Sequence, residues 1–138
     1  MPHEPAILEF LPSSSARAQL LLADDFEPWR SKVRAFLERK TQWKVFEARD
    51  GLEAIRKTVE LHPDVVLLDI AMPGLNGIEA AKKIRKLSPD SGIIFLTING
   101  DEDVMATALR TGAVAYVLKD EMVSGLIPAI RASLWAKP

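Results

Sequence analysis

Short apolar runs and segments of helical spacing alternate along most of the chain. The apolar runs are Ala18 to Ala23, Trp43 to Ala48, Asp64 to Ile70, Gly92 to Ile98 and Ala113 to Lys119. Two of them, Val65-Val66-Leu67-Leu68 and Ile93-Ile94-Phe95-Leu96, are continuous rather than alternating. Continuous runs suit strands buried on both faces, as in a parallel sheet covered by helices. Lys44 and Glu47 interrupt the second run, which places it at a sheet edge. Between the runs, Trp29, Val33, Phe36 and Leu37 form one helical stripe. Asp50 and Glu53 form a capping box before a helix expected to bury Leu52, Ile55 and Val59. Asn76 caps a third helix with Ile78, Ala81 and Ile84 inward, and Asp101 a fourth with Val104, Ala108 and Leu109 inward. A fifth helix is expected from about Glu121 to Trp135, burying Val123, Leu126 or Ile127, Ile130 and Leu134, and kinked rather than broken at Pro128. Five βα units in sequence predict an α/β doubly wound parallel sheet with right-handed crossovers. In that architecture the ligand site lies outside the carboxyl ends of the strands.

Composition narrows the chemistry. The 138 residues suit one domain, with residues 18–138 as its body. Residues 1–17 hold Pro2, Pro5, Pro12 and three consecutive serines, and read as an extension or linker that is ordered only if Ala6 to Leu11 docks. Eighteen basic and nineteen acidic residues leave a net charge of −1, which argues against nucleic-acid binding by bulk electrostatics. The Lys82-Lys83 and Arg85-Lys86 cluster reads as a solvated helix face. With no cysteine, a disulfide scaffold, a thiolate metal site and a cysteine nucleophile are excluded. Two distant histidines do not make a metal site. No apolar run is long enough for a bilayer, and no leader pattern opens the chain, so a cytoplasmic domain is expected.

The strand ends carry the candidate chemistry. The first run ends in Asp24-Asp25, the third in Asp69, the fourth in Thr97 and the fifth in Lys119. Singly, a charged residue ending a buried strand marks the chain reaching water. Together they bring three carboxylates, a hydroxyl and an ammonium to one rim. Clustered carboxylates repel, and a hard divalent cation such as Mg²⁺ relieves the repulsion through oxygen ligands. A carboxylate beside such an ion can attack phosphorus to form an aspartyl-phosphate. Mg²⁺ and Lys119 would neutralise phosphoryl oxygens from two sides, and Thr97 can hydrogen-bond a third.

With these residues in place, Ala18 to Trp135 resembles the receiver domain of two-component response regulators. The resemblance rests on Leu20-Leu21-Leu22-Ala23-Asp24-Asp25, on Val65 through Gly77 with Asp69 at its centre, on Ile94-Phe95-Leu96-Thr97 and on Ala113 through Lys119. It implies a flavodoxin-like (βα)5 fold with strand order 2-1-3-4-5. Asp69 then looks like the phosphoacceptor for a histidine kinase or phosphotransfer protein. Asp24, Asp25, Asp69 and the Ala71 carbonyl look like the Mg²⁺ ligands. Thr97 looks like the switch hydroxyl, Lys119 like the family's lysine and Tyr116 like its switch aromatic. Such a domain catalyses only its own phosphorylation and dephosphorylation. It signals through the face of the fourth helix, fifth strand and fifth helix, to an output partner or a second copy. Asp120 after Lys119 is similar to receivers attached to LuxR-type output domains. Ile98 departs from the small residue usual after the switch hydroxyl. It motivates a second reading, a docking module that keeps the fold with restricted access to Asp69. A haloacid-dehalogenase-type phosphatase is disfavoured because the nucleophile there follows the first strand in an Asp-x-Asp spacing. Trp29 and Trp43 read as core or rim packing, and Trp135 as exposed.

Overall fold

The computed structural model describes residues 17–136. The extension expected over residues 1–17 lies outside these, apart from Arg17. Five strands and five α-helices alternate: β1 Gln19–Ala23, α1 Glu27–Lys40, β2 Lys44–Ala48, α2 Gly51–Leu61, β3 Val65–Leu68, α3 Gly77–Leu87, β4 Gly92–Thr97, α4 Glu102–Leu109, β5 Ala115–Leu118 and α5 Met122–Trp135. A 3₁₀ turn over Lys119–Glu121 leads into α5. The strands form one parallel sheet in the order β2-β1-β3-β4-β5, with β2 at an edge as its two charges imply.

Alternation along each strand divides the core in two. Leu20, Leu22, Val65, Leu67, Ile94, Leu96 and Val117 face one way, and Val33, Phe36 and Leu37 of α1 with Leu126, Ile130 and Leu134 of α5 cover them. Leu21, Ala23, Val66, Leu68, Ile93 and Phe95 face the other way, under Ala54 of α2, Ala80, Ala81 and Ile84 of α3 and Ala108 of α4. Both faces of the central strands are therefore dry, which is why their sequences read as unbroken apolar runs.

Helix starts follow their caps. The Asp50 carboxylate accepts the Glu53 N–H at 2.8 Å and the Glu53 carboxylate accepts the Arg49 N–H. Asn76 accepts the Glu79 N–H at 2.9 Å, and Asp101 accepts from Asp103 and Val104. These bonds satisfy donors that a helix start leaves open.

The inward faces of three helices differ from expectation. On α2, Leu52 is 68% exposed, Val59 is also exposed, and Gly51, Ala54 and Thr58 are buried instead. The small face is turned inward because α2 lies close to the loop before α3. A Cβ on Gly51 would collide with the Leu75 carbonyl oxygen. On α5, Val123 is 73% exposed while Met122 is buried. The 3₁₀ turn ends at Glu121, so the helix starts on Met122 and presents that side chain to the core. Pro128 lies inside α5, which is assigned as one helix from end to end. On α4, Ala108 is buried, Val104 half-buried and Leu109 exposed.

Candidate functional site

The carboxyl ends of β1, β3, β4 and β5 meet on one rim. Asp24 continues the ladder of β1, its N–H donating to the Ala48 carbonyl at 3.1 Å, and the Asp69 N–H donates to the Ala23 carbonyl at 3.0 Å. Thr97 pairs with Leu118, so Lys119 is the next residue along that edge. Asp24, Asp69 and Thr97 are buried, and Asp25 is exposed at the mouth.

The Lys119 ammonium lies 2.7 Å from Asp24 Oδ2 and 3.3 Å from Asp69 Oδ2. Its side chain is only 14% exposed. The other Asp24 oxygen accepts the Phe26 N–H at 2.8 Å, which ties the start of α1 to the site. Asp69 Oδ1 is buried without a hydrogen-bond partner. Burial and the neighbouring Asp24 charge push the Asp69 carboxyl above its ordinary value, against the pull of the Lys119 ammonium and the Thr97 hydroxyl.

Carboxylate oxygens of Asp24, Asp25 and Asp69 lie within 4.8 Å of one another. Three hard oxygen donors with one buried oxygen unpartnered suit Mg²⁺ or a similar cation. Ala71 is exposed on the loop directly after Asp69. That loop is pinned from behind, because the Gly77 and Met72 N–H groups both donate to the Ile70 carbonyl, at 2.9 and 3.1 Å. A Cβ on Gly77 would sit on the Asp69 carbonyl oxygen. Glycine is therefore the residue that lets the start of α3 press against the chain at Asp69.

Tyr116 is half-buried, with its hydroxyl donating to the Asn99 carbonyl at 2.7 Å and its ring 6.1 Å from that of Phe95. Burial and the charges of Asp69 and Asp101 raise its phenol. Ile98 is 78% exposed, its side chain in solvent.

Two site residues escaped the sequence reading. The ring of Trp29 lies 5.3 Å from the Lys119 ammonium. The Arg30 guanidinium donates to the Asp24 carbonyl and to Glu47, both at 2.7 Å. Trp29 fell on an apolar stripe and so read as core, although Arg30, a cation five residues past an acidic pair, was a usable signal.

Residues 20–131 match the response regulator receiver domain family. The transcriptional regulatory protein LiaR of Bacillus subtilis is 41% identical over 121 residues, covering 87% of this chain and 57% of LiaR. The nitrate/nitrite response regulator protein NarL of Escherichia coli is 34% identical, covering 86% of this chain and 55% of NarL. Among solved structures, a LuxR-family two-component response regulator from Aurantimonas matches with a TM-score of 0.83 at 34% identity, over 88% of this chain and 87% of that one. The response regulator domain of Thermotoga maritima CheB matches with a TM-score of 0.80 at 32% identity, over 88% and 98%. This chain belongs to the response regulator receiver domain family. It spans about half the length of the curated relatives it matches. Among the described residues no helix is long and apolar enough to cross a membrane.

Proposed function

We propose that the chain is a phosphorelay switch that accepts a phosphoryl group on Asp69 from the phosphohistidine of a sensor kinase or phosphotransfer protein. The carrying observation is the unpartnered, buried Oδ1 of Asp69, set among Asp24, Asp25 and the Lys119 ammonium. An Asp69 oxygen attacks phosphorus, an O–P bond forms, the P–N bond of the phosphohistidine breaks, and the leaving imidazole takes a proton from water. Asp24, Asp25, Asp69 and the Ala71 carbonyl would hold Mg²⁺, which would supply charge neutralisation for the phosphoryl oxygens. Lys119 offsets charge on the phosphoryl oxygens, and its amine is already within reach of Asp69. Thr97 donates to a phosphoryl oxygen, which draws it toward Asp69 and opens space for Tyr116 to leave Asn99. That exchange biases the α4-β5-α5 face between two arrangements. An output partner or a second copy reads the face. The relatives named as transcriptional regulators fit such an output.

Incubation with phosphoramidate and Mg²⁺, followed by intact mass measurement, should show one added phosphoryl group, absent in Asp69→Asn. Normal Mg²⁺ binding without phosphorylation, even with a kinase, would instead favour the docking module. The solvent-facing Ile98 argues for the switch, because 78% of its surface is exposed and it is not packed into the fold.

A further inference from the structure

We infer that Trp29 is a positioning residue for this site, holding the Lys119 ammonium against the acidic cluster with the face of its indole. This rests on the reading of Asp69 as phosphoryl acceptor. Lys119 is a point charge on a flexible four-carbon stem, attracted by two carboxylates at once. A third contact adds direction, and the Trp29 ring, with the ammonium over it at 5.3 Å, supplies one. Indole is the strongest cation-binding ring among the side chains, and the contact gains when the cation is desolvated. Lys119 meets that condition, whereas Lys32, 5.7 Å from the same ring, stands exposed on α1.

The indole N–H sharpens the argument. It is buried with no acceptor, and an unpaired buried N–H is unfavourable. If Trp29 only filled space, phenylalanine or leucine would serve without that cost. Hydrogen bonding of the N–H does not place the ring, so what distinguishes it here is its face toward Lys119. Its neighbours are already tied to Asp24, the Phe26 backbone N–H donating to Oδ1 and the Arg30 guanidinium to the backbone carbonyl. The start of α1 thus meets the site twice, at the Asp24 carboxylate through the Phe26 N–H and at the Lys119 ammonium through the Trp29 ring.

The test is a cycle between the two residues. Phosphorylation by phosphoramidate is followed by intact mass for wild type, Trp29→Leu and Trp29→Phe, and again with Lys119→Met in each background, over longer incubation. Trp29→Leu should slow the wild type by about three- to tenfold and leave the Lys119→Met protein within about twofold, with Trp29→Phe restoring part of the rate. Lys32→Ala should leave the rate unchanged. In the unphosphorylated protein, the Lys119 side-chain methylene protons beside the ammonium should resonate upfield, shifted by the ring current. They should return to ordinary values in the Trp29 variant. Equal slowing in both backgrounds, or an unshifted Lys119 resonance, overturns the inference. Phosphorylated wild type with an equally fast Trp29→Leu sinks this inference alone. A wild type that never takes a phosphoryl group sinks the functional reading, and this inference with it.

Discussion

Asp69 and Glu47 are both carboxylates close to cations, and their surroundings act on them in opposite directions. Burial and Asp24 lift the Asp69 carboxyl, so its ionised form is held at a cost to the fold. Replacing Asp69 by asparagine keeps the shape and removes that charge, leaving Lys119 to Asp24 alone. Asp69→Asn should therefore melt about 2–6 °C above wild type in metal-free buffer, followed by circular dichroism; a lower midpoint contradicts the electrostatic account. At Glu47, burial would raise the carboxyl, but hydrogen bonds from Arg30 and Arg34 and their charges outweigh it and bring it below 4.5. A depressed native value adds stability above the unfolded value and loses it as pH falls through the native one. Urea unfolding at about pH 7 and about pH 3.5 should show wild type more stable than Glu47→Gln at the higher pH, with the gap closing at the lower. A gap that widens in acid would reverse the assignment. The charged residues of the site were legible because each ends an apolar run, where a strand must reach water. Trp29 was not, since an aromatic on a helical stripe looks the same whether it meets a leucine or, 90 positions on, an ammonium.

At the scale of elements, the strands were easier to read than the faces of the helices. A central strand dry on both sides has only one composition available to it, whereas α2 could have buried either of two faces. Leu52 and Val59 are larger, but the approach of the loop before α3 selects the side with Gly51, Ala54 and Thr58. The start of α5 falls within a residue of its expected place, but its inward side chain is Met122 and not Val123, because nothing in Lys119-Asp120-Glu121 announces a 3₁₀ turn. The same accounting of buried faces separates α4 from its neighbours. It is eight residues long with Ala108 as its buried residue, while α3 buries Gly77, Ala80, Ala81 and Ile84 and α5 buries Met122, Leu126, Ile130, Ser133 and Leu134. Few buried contacts mean a low local opening free energy. Amides of α4 should exchange with deuterium roughly tenfold or more faster than those of the middle of α3. Protection of α4 equal to that of α3 would argue against α4 as the element that shifts between two arrangements.

For the molecule as a whole, the parallel sheet concentrates charge at one end. Because every strand runs the same way, every strand terminus arrives on the same rim, and the net charge of −1 hides a local excess of carboxylate there. The folded sheet alone brings Asp24, Asp25 and Asp69 together across 45 positions of chain, so a cation that needs all three binds the native state and not the unfolded one. Binding of that kind raises stability by RT ln(1 + [L]/Kd), about 2.7 kcal/mol at a concentration 100 times Kd. For a domain of this size each kcal/mol moves the midpoint by about 3–5 °C, so saturating Mg²⁺ should raise it by about 8–13 °C. Asp25→Asn should lose most of that gain while keeping its metal-free midpoint close to wild type, since Asp25 is exposed and its removal disturbs no packing. Sodium chloride at matched ionic strength separates the two ways a salt can act, because screening relieves carboxylate repulsion without needing a site. If sodium reproduced the magnesium effect, the cluster would be an acidic rim and not a metal centre. A shift that saturates with Mg²⁺ and disappears in Asp25→Asn would tie the cation to the three strand-end carboxylates.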